Sequence, residues 1–396
     1  MRAATWQGKR DVQVIDVPDP HVEDPGDIVV GVTTTGLCGS DLHLYEVLGP
    51  FMTPGDVLGH ETMGVVVDKS PDVGQVDVGD RVVIPFQIAC GSCFMCERGL
   101  QTQCETTQVR KAGTGAALFG YSSLYGSVPG GQAEYLRVPH ADYGAIKVAD
   151  DRLPDSRYVY LSDVLPTAWQ ALEYADVLPG DTLVVVGLGP IGDMTCRLAE
   201  QEGVRAIGVD RVPQRLARAA ARGVTAIDEG RHDVLAAVRD LTEGRGADAV
   251  VDAVGMEAHG SSAPSILQKA VGLLPDRAAR AAMRTAAIDR MTALKLSISL
   301  VRRGGTVSIV GVYAGTHDPM SMQELFDRQI TLRMGQANVL RWVDDLLPFV
   351  EAPGDPLGLE DFATHRLTLD AAPQAYDMFQ RKEDGAVKIL FDPRAA

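Results

Sequence analysis

No run of about 20 apolar residues occurs in this 396-residue chain, so a membrane-spanning helix is not expected. The opening stretch, MRAATWQGKRDVQVIDVPDP, lacks the long apolar segment of a secretion signal, and the expected location is the cytoplasm. Basic residues are in deficit: 37 Lys and Arg against 53 Asp and Glu give a formal net charge of −16. Such a surface repels phosphate backbones and anionic lipid heads, so neither nucleic acid nor membrane is an expected partner. Cysteine is scarce as well, at six residues, and in a reducing compartment these read as metal ligands or buried thiols before disulfides. Internal repeats and low-complexity tracts are absent, and 45% hydrophobic with 23% charged residues is an ordinary globular balance. The length exceeds one ordinary core and implies two domains.

What is present changes character along the chain. Up to about residue 155, short β-type runs such as DIVVGVTTTG (27–36) and GVVVDKSPDVG (64–74) are broken by Gly and Pro, the pattern of a mostly β domain. From 182 onward, apolar strands alternate with helical stretches. TLVVVG (182–187), RAIGVD (205–210), ADAVVDAVG (247–255) and GGTVSIVGVY (304–313) read as buried parallel strands. The expected class is α/β: a β-rich domain joined to a doubly wound parallel sheet with right-handed crossovers. The Ala/Arg-rich stretch 256–300 reads as one or two helices, longer than a minimal crossover needs, and is either an oligomer contact or extra surface helix.

Three constellations carry chemistry. Cys90, Cys93, Cys96 and Cys104 lie within fifteen residues, a spacing that wraps four thiolates around one tetrahedral zinc. A site closed by four sulfurs is structural; an iron–sulfur cluster is the alternative reading. Next, Gly187, Gly189, Pro190, Ile191 and Gly192 form the turn GLGPIG between a strand and a helix, with Asp210 ending the next strand. That is a dinucleotide fingerprint, with pyrophosphate at the helix N-terminus and an acid on the adenosine ribose. Asp210 would repel a 2′-phosphate, which favours NAD over NADP; Arg211 and Arg215 are read as packing or ion-pairing beside the adenine. Finally, CGSDLH supplies Cys38 and GHE supplies His60, two of the ligands a catalytic zinc needs.

A second catalytic cysteine is missing. After Cys38 and the tetrad only Cys196 remains, inside the helix that follows the glycine turn, where it reads as a buried thiol. The third ligand must then be oxygen or nitrogen. Asp163, in LSDVLPT at the expected domain junction, is the candidate, although alone it would read as a helix N-cap. Glu61 competes, but it adjoins His60, and neighbouring strand residues point to opposite faces.

Together these motifs resemble the zinc-containing, medium-chain alcohol dehydrogenase superfamily. The resemblance runs from MRAATW to VKILFDP, and LSDVLPTAW and GGQAEYLRVPHAD look most like its glutathione-independent formaldehyde dehydrogenase branch, in which an aspartate replaces the second cysteine. The resemblance implies a GroES-like catalytic domain over 1–160 and 316–396, a Rossmann domain over 161–315, a substrate loop at 105–128, and a homo-oligomer, dimer or tetramer. It implies two zinc ions per chain and NAD(H). Cys38, His60 and Asp163 would hold the catalytic zinc, Asp41 would orient His60, and Ser40 and His43 would relay the proton. Glu61 would lie near the metal and Thr167 by the nicotinamide ribose. The implied activity is hydride transfer between a small alcohol or aldehyde and nicotinamide, as in formaldehyde dehydrogenases. A polyol, sugar or threonine dehydrogenase shares the scaffold, and a non-catalytic dinucleotide-binding sensor is the rival from another class.

Overall fold

A computed structural model describes residues 1–149, 152–255, 291–313 and 320–395. Most of the stretch 256–300, from 256 to 290, lies outside the described residues, and its final part is the helix Thr292–Leu300. The chain separates into two compact units, Met1–Pro166 with Ala337–Ala396, and Thr167–Gln336. These limits fall a few residues after 160 and well after 315. The later limit arises because the strand Thr331–Met334 pairs with Val301–Ile309 and so extends the sheet of the second unit.

The first unit is built on a seven-stranded sheet. Its centre is Ile28–Leu37, which pairs antiparallel with Glu61–Lys69 on one side and with the C-terminal strand Ile389–Asp392 on the other. Arg81–Ile84 pairs beyond Glu61–Lys69. Ile28, Val30, Val32, Val66, Val82 and Ile84 form the apolar core of this sheet. The β-branched residues concentrate on the side-chain face that the sheet buries, which is why alternation is visible in the sequence.

The second unit carries six parallel strands. Thr182–Val186 lies at the centre, with Arg205–Asp210 and Thr225–Asp228 to one side and Ala247–Asp252, Val301–Ile309 and Thr331–Met334 to the other. The order reverses between Thr182–Val186 and Ala247–Asp252, the crevice where open α/β sheets bind ligands. The turn of Gly187 leaves the sheet there: a Cβ on Gly187 would meet the side chain of Val254, and the backbone has φ +90°, a left-handed conformation natural to glycine. Gly192 has a different reason. A Cβ there would overlap the carbonyl oxygen of Gly187 and press on Val185, so the helix Pro190–Gln201 packs against its strand only without a side chain. Gly192→Ala is therefore expected to lose about 1–3 kcal/mol of stability from overpacking and to weaken dinucleotide binding. Urea unfolding and titration with NADH check both.

Candidate metal and cofactor sites

The cysteine lobe is local in sequence and local in space. The ligand atoms of Cys90, Cys93, Cys96 and Cys104 lie within 4.8 Å of one another. The amide of Cys90 donates to Cys104 Sγ at 3.4 Å and that of Glu105 to Cys93 Sγ at 3.4 Å. Thr106 donates its hydroxyl to Cys90 Sγ at 3.1 Å. Donors aimed at sulfur favour the thiolate over the thiol. For Cys90, burial pushes the thiol up, but the hydrogen bonds from Thr106 and the Ser92 amide outweigh it and bring it to about 5. Four convergent sulfurs with such donors fit one tetrahedral zinc and leave no position for a substrate.

The second cluster is assembled from three distant segments of the first unit. Cys38 follows the strand Ile28–Leu37, and His60 precedes Glu61–Lys69; the pairing of Gly36 with Glu61 sets the two side by side. Asp163 follows the 3-10 turn Val159–Ser162, which is fastened to the end of the neighbouring strand by Phe86 N donating to Ser162 O at 3.2 Å. Ligand atoms of Cys38, His60, Glu61 and Asp163 all fall within 4.8 Å of one another. Cys38 Sγ is 3.4 Å from Asp163 Oδ2, and His60 Nε2 is 3.4 Å from the same oxygen. Ser40 Oγ lies 3.1 Å from His60 Nε2.

On the far side of the ring, His60 Nδ1 is 3.2 Å from Asp41 Oδ1. The other oxygen of Asp41 accepts the amide hydrogen of Cys38 at 3.0 Å, so one buried carboxylate holds both neighbours. A histidine with one nitrogen on a carboxylate and the other turned into a ligand group is the usual arrangement of metal-bound imidazole. Burial alone would pull the His60 imidazole down, but the carboxylates of Asp41 and Asp163 outweigh it and hold it well above its ordinary value. Burial and the charge of Asp163 push the Cys38 thiol up to about 11. A buried thiol and three buried carboxylates crowd here, which is an environment that favours a divalent cation. The residues present fit a zinc ion.

The alternation argument that set Glu61 opposite His60 does not apply. The strand begins at Glu61, and Gly59 turns the chain with φ +94° just before the histidine, so His60 stands outside the ladder. Glu61 shares the cluster, and its partner is a residue that sequence reading missed. Lys388 is fully buried and pairs with Glu61 Oε2, while also donating to Leu37 O at 3.1 Å. Gly36 makes the room, since a Cβ there would overlap the Glu61 carboxylate. The only signal was a lone lysine in the apolar run VKILF.

A loop also closes on the ligand-bearing turn. The amides of Gly130, Gly131 and Gln132 donate to Val57, Gly59 and Leu58 carbonyls at 2.9–3.0 Å. A Cβ on Gly120 or Gly130 would overlap the backbone of Gly59. Phe86 packs edge-on against the His60 ring, with centroids 6.4 Å apart. His43 sits in the helix Asp41–Glu46 and is only 7% exposed, which matters for any route to water.

In the second unit, Gly189 is the N-cap of the helix Pro190–Gln201 and supplies no side chain to its free amides. Asp210 is tied to the turn: Oδ2 accepts from Leu188 N at 2.7 Å, and Oδ1 from Arg211 N at 2.7 Å and Val212 N at 2.9 Å. Arg215 Nη1 lies 3.7 Å from Asp210 Oδ2, whereas Arg211 pairs with Glu229 at 2.7 Å. An uncapped helix end beside a buried acid fits a dinucleotide. Thr167 stands in the first turns of the helix Val164–Ala175, at the start of this unit.

Residues 24–150 match the alcohol dehydrogenase GroES-like domain and residues 190–274 the zinc-binding dehydrogenase family. A zinc-type alcohol dehydrogenase-like protein of Bacillus subtilis, AdhB, is 36% identical over 99% of this chain and 100% of its own. A formaldehyde dismutase of Pseudomonas putida is 31% identical over 99% of this chain and 97% of its own. The solved alcohol dehydrogenase TADH of Thermus sp. ATN1 superposes with a TM-score of 0.83 at 33% identity, covering 99% of both chains.

The Glu61–Lys388 pair gives a test of the site's electrostatics. Lys388→Met leaves a buried carboxylate uncompensated and is expected to cost about 3–5 kcal/mol. The double variant Lys388→Met, Glu61→Gln should recover most of that loss in chemical denaturation.

Proposed function

The chain belongs to the zinc-type alcohol dehydrogenase family, GroES-like and Rossmann domains included, and is an oxidoreductase acting on alcohols; from that premise we propose that it is an NAD-linked dehydrogenase of small alcohols and aldehydes, closest in chemistry to formaldehyde dehydrogenases. The observation that carries the proposal is the convergence of Cys38, His60 and Asp163 within 4.8 Å, an aspartate standing where a second cysteine would be expected. LSDVLPTAW and GGQAEYLRVPHAD support the finer reading, as do Pseudomonas relatives named as formaldehyde dismutase and glutathione-independent formaldehyde dehydrogenase, each 31% identical.

When bound, zinc supplies a Lewis acid for the substrate oxygen and nicotinamide supplies the hydride acceptor or donor. Cys38, His60 and Asp163 would hold this metal, and Cys90, Cys93, Cys96 and Cys104 would hold a second, structural ion. A carboxylate in place of a thiolate keeps the formal charge of the ligand set but donates less electron density, which suits polarising a carbonyl or its hydrate. Asp41 fixes the His60 tautomer, so that Nε2 faces the ligands. Ser40 takes the substrate proton and passes it to His43. Because His43 is buried, the proton leaves through a further group and not directly into bulk water. Lys388 holds one oxygen of Glu61 and limits its competition with Asp163. Gly187, Gly189, Pro190, Ile191 and Gly192 cradle the pyrophosphate, and Asp210, flanked by Arg211 and Arg215, receives the ribose. Thr167 is assigned to the nicotinamide ribose.

Metal-replete protein should contain two zinc ions per chain by elemental analysis and should couple alcohol oxidation to NADH absorbance. Asp163→Ala should retain the fold, lose one zinc and nearly all turnover; retention of both ions, with loss in Glu61→Ala, would transfer the role to Glu61.

Cofactor preference rests on charge. The wild type should prefer NAD, and Asp210→Gly should lower the ratio of kcat/KM for NAD over NADP by about tenfold, roughly 1.4 kcal/mol. Equal or better turnover of the wild type with NADP would overturn the assignment.

A further inference from the structure

Asp252 ends the strand Ala247–Asp252 and is fully buried, and among the described residues no cation pairs with it. Burial pushes its carboxyl above the ordinary value, and only the hydrogen bonds it accepts work against that. Those bonds follow one pattern. Oδ1 accepts from Val254 N and from Gly255 N, each at 3.0 Å. Oδ2 accepts from the Tyr313 hydroxyl at 2.6 Å. The main-chain oxygen accepts from Val310 N at 3.1 Å and Gly311 N at 2.9 Å. One residue thus ties the segment leaving its own strand, 253–255, to the segment leaving the neighbouring strand Val301–Ile309, 310–313.

The two segments meet without side-chain clearance. A Cβ on Gly255 would overlap the backbone of Val312, and one on Gly311 the backbone of Gly255. The first segment also adjoins the glycine turn: Ala253 N donates to Val186 O at 2.9 Å, and the side chain of Val254 occupies the space a Cβ on Gly187 would need. All of this lies within the second unit, at the point where the strand order reverses. A dinucleotide lies across such a reversal, with one half on each side. Asp210, assigned above to the adenosine ribose, ends Arg205–Asp210 on one side of Thr182–Val186, and Ala247–Asp252 stands on the other. On that reading the nicotinamide half falls to the two segments that Asp252 and Tyr313 hold.

We propose that Asp252 and Tyr313 are positioning residues for the nicotinamide half of the cofactor: bridged by the phenol, the two segments keep the spacing at which the ring is received. This rests on the dinucleotide reading above, and neither side chain is assigned a contact with the cofactor. A wall held in place before the ligand arrives saves the ordering cost that binding would otherwise carry. The seat of the pyrophosphate, Gly187 and Gly189 with the helix Pro190–Gln201, belongs to another segment.

The test compares NADH with ADP-ribose, which has the same adenosine and pyrophosphate groups but no nicotinamide, by titration calorimetry on the zinc-loaded protein. Tyr313→Phe removes one hydroxyl. Its affinity for NADH should fall about fivefold, the effect of one hydrogen bond, while its affinity for ADP-ribose stays within about twofold of wild type. Asp252→Asn still offers an oxygen to the two amides and an amide hydrogen to the Tyr313 oxygen, so it should bind both ligands within about twofold of wild type. Should the unbridged carboxylate keep Tyr313→Phe from folding, the double variant Asp252→Asn, Tyr313→Phe removes the charge, leaves the bridge broken and should show the same loss for NADH alone. Equal losses for both ligands would mean that the pair supports the glycine turn as a whole. Unchanged NADH affinity would mean that it only caps a strand, and loss of NADH binding in Asp252→Asn would mean that charge and not spacing matters. Each of these three results overturns the inference. A wild type that binds neither ligand would overturn the dinucleotide reading and the inference with it; a wild type that binds both upholds that reading whatever the variants do.

Discussion

An ammonium with no exposure to water has to meet a carboxylate in the same condition, and in this chain the match spans 327 residues, from Glu61 to Lys388. The pair is possible because Ile28–Leu37 has the strand of Glu61 on one side and the C-terminal strand on the other. Lys388 precedes that strand and reaches both the Glu61 carboxylate and the carbonyl of Leu37, one residue before Cys38. Burial would pull the ammonium down, but Glu61 more than offsets this and holds it above its ordinary value. Removing either partner leaves a charge in a dry interior, which no rearrangement of the surface can repair. The last segment of the chain is thereby coupled to the ligand cluster by electrostatics as well as by strand pairing.

Around that pair the backbone is packed with almost no side-chain clearance. Glycines at 36, 120, 130 and 131 each occupy places where a Cβ would overlap Glu61, Gly59, Leu58 or Thr62. Close approach lets three consecutive amides, Gly130 to Gln132, hydrogen-bond to the carbonyls of the turn before His60. Gln132 continues the chain of contacts: its Nε2 donates to Gly36 O at 3.0 Å, and its Oε1 accepts from Tyr376 at 2.8 Å. Ligand positions fixed by backbone contacts move less than positions fixed by long side chains, which is what a metal site of defined geometry requires.

The features readable in the sequence were those whose partners are near in sequence or whose period is regular. The cysteine tetrad closes within fifteen residues, and the glycine turn sits between a strand and a helix, so spacing alone conveyed both. The buried parallel strands announced themselves as continuous apolar runs. Lys388 is hard to read from sequence because it is an isolated polar residue in an apolar stretch, and its environment is created by segments far away. Glu61 lies near the other ligands, as the family resemblance implies, but alternation does not set it opposite His60, because the strand begins one residue too late to include His60. The C-terminal limit of the second unit came late because Thr331–Met334, only four residues long, gives little periodic signal although it completes a sheet.

The two clusters differ in how they treat negative charge. In the cysteine lobe, amide hydrogens at Cys104 and Cys93 and the Thr106 hydroxyl at Cys90 disperse the thiolate charge among many weak donors. Such a set is satisfied by one ion and has nothing left to offer. In the mixed cluster the charge is concentrated: Asp163 Oδ2 is approached by both Cys38 and His60, while one Asp41 carboxylate serves His60 and the Cys38 amide. Ser40 Oγ approaches the same His60 nitrogen at 3.1 Å, which sets a hydroxyl at the edge of this cluster. If Cys38, His60 and Asp163 hold a zinc as proposed, they would leave room for a substrate oxygen, and the Ser40 hydroxyl could hand on a proton as it receives one. Under the proposed assignment the four-cysteine set would contribute to stability, and the mixed set would be where binding energy is directed to a substrate.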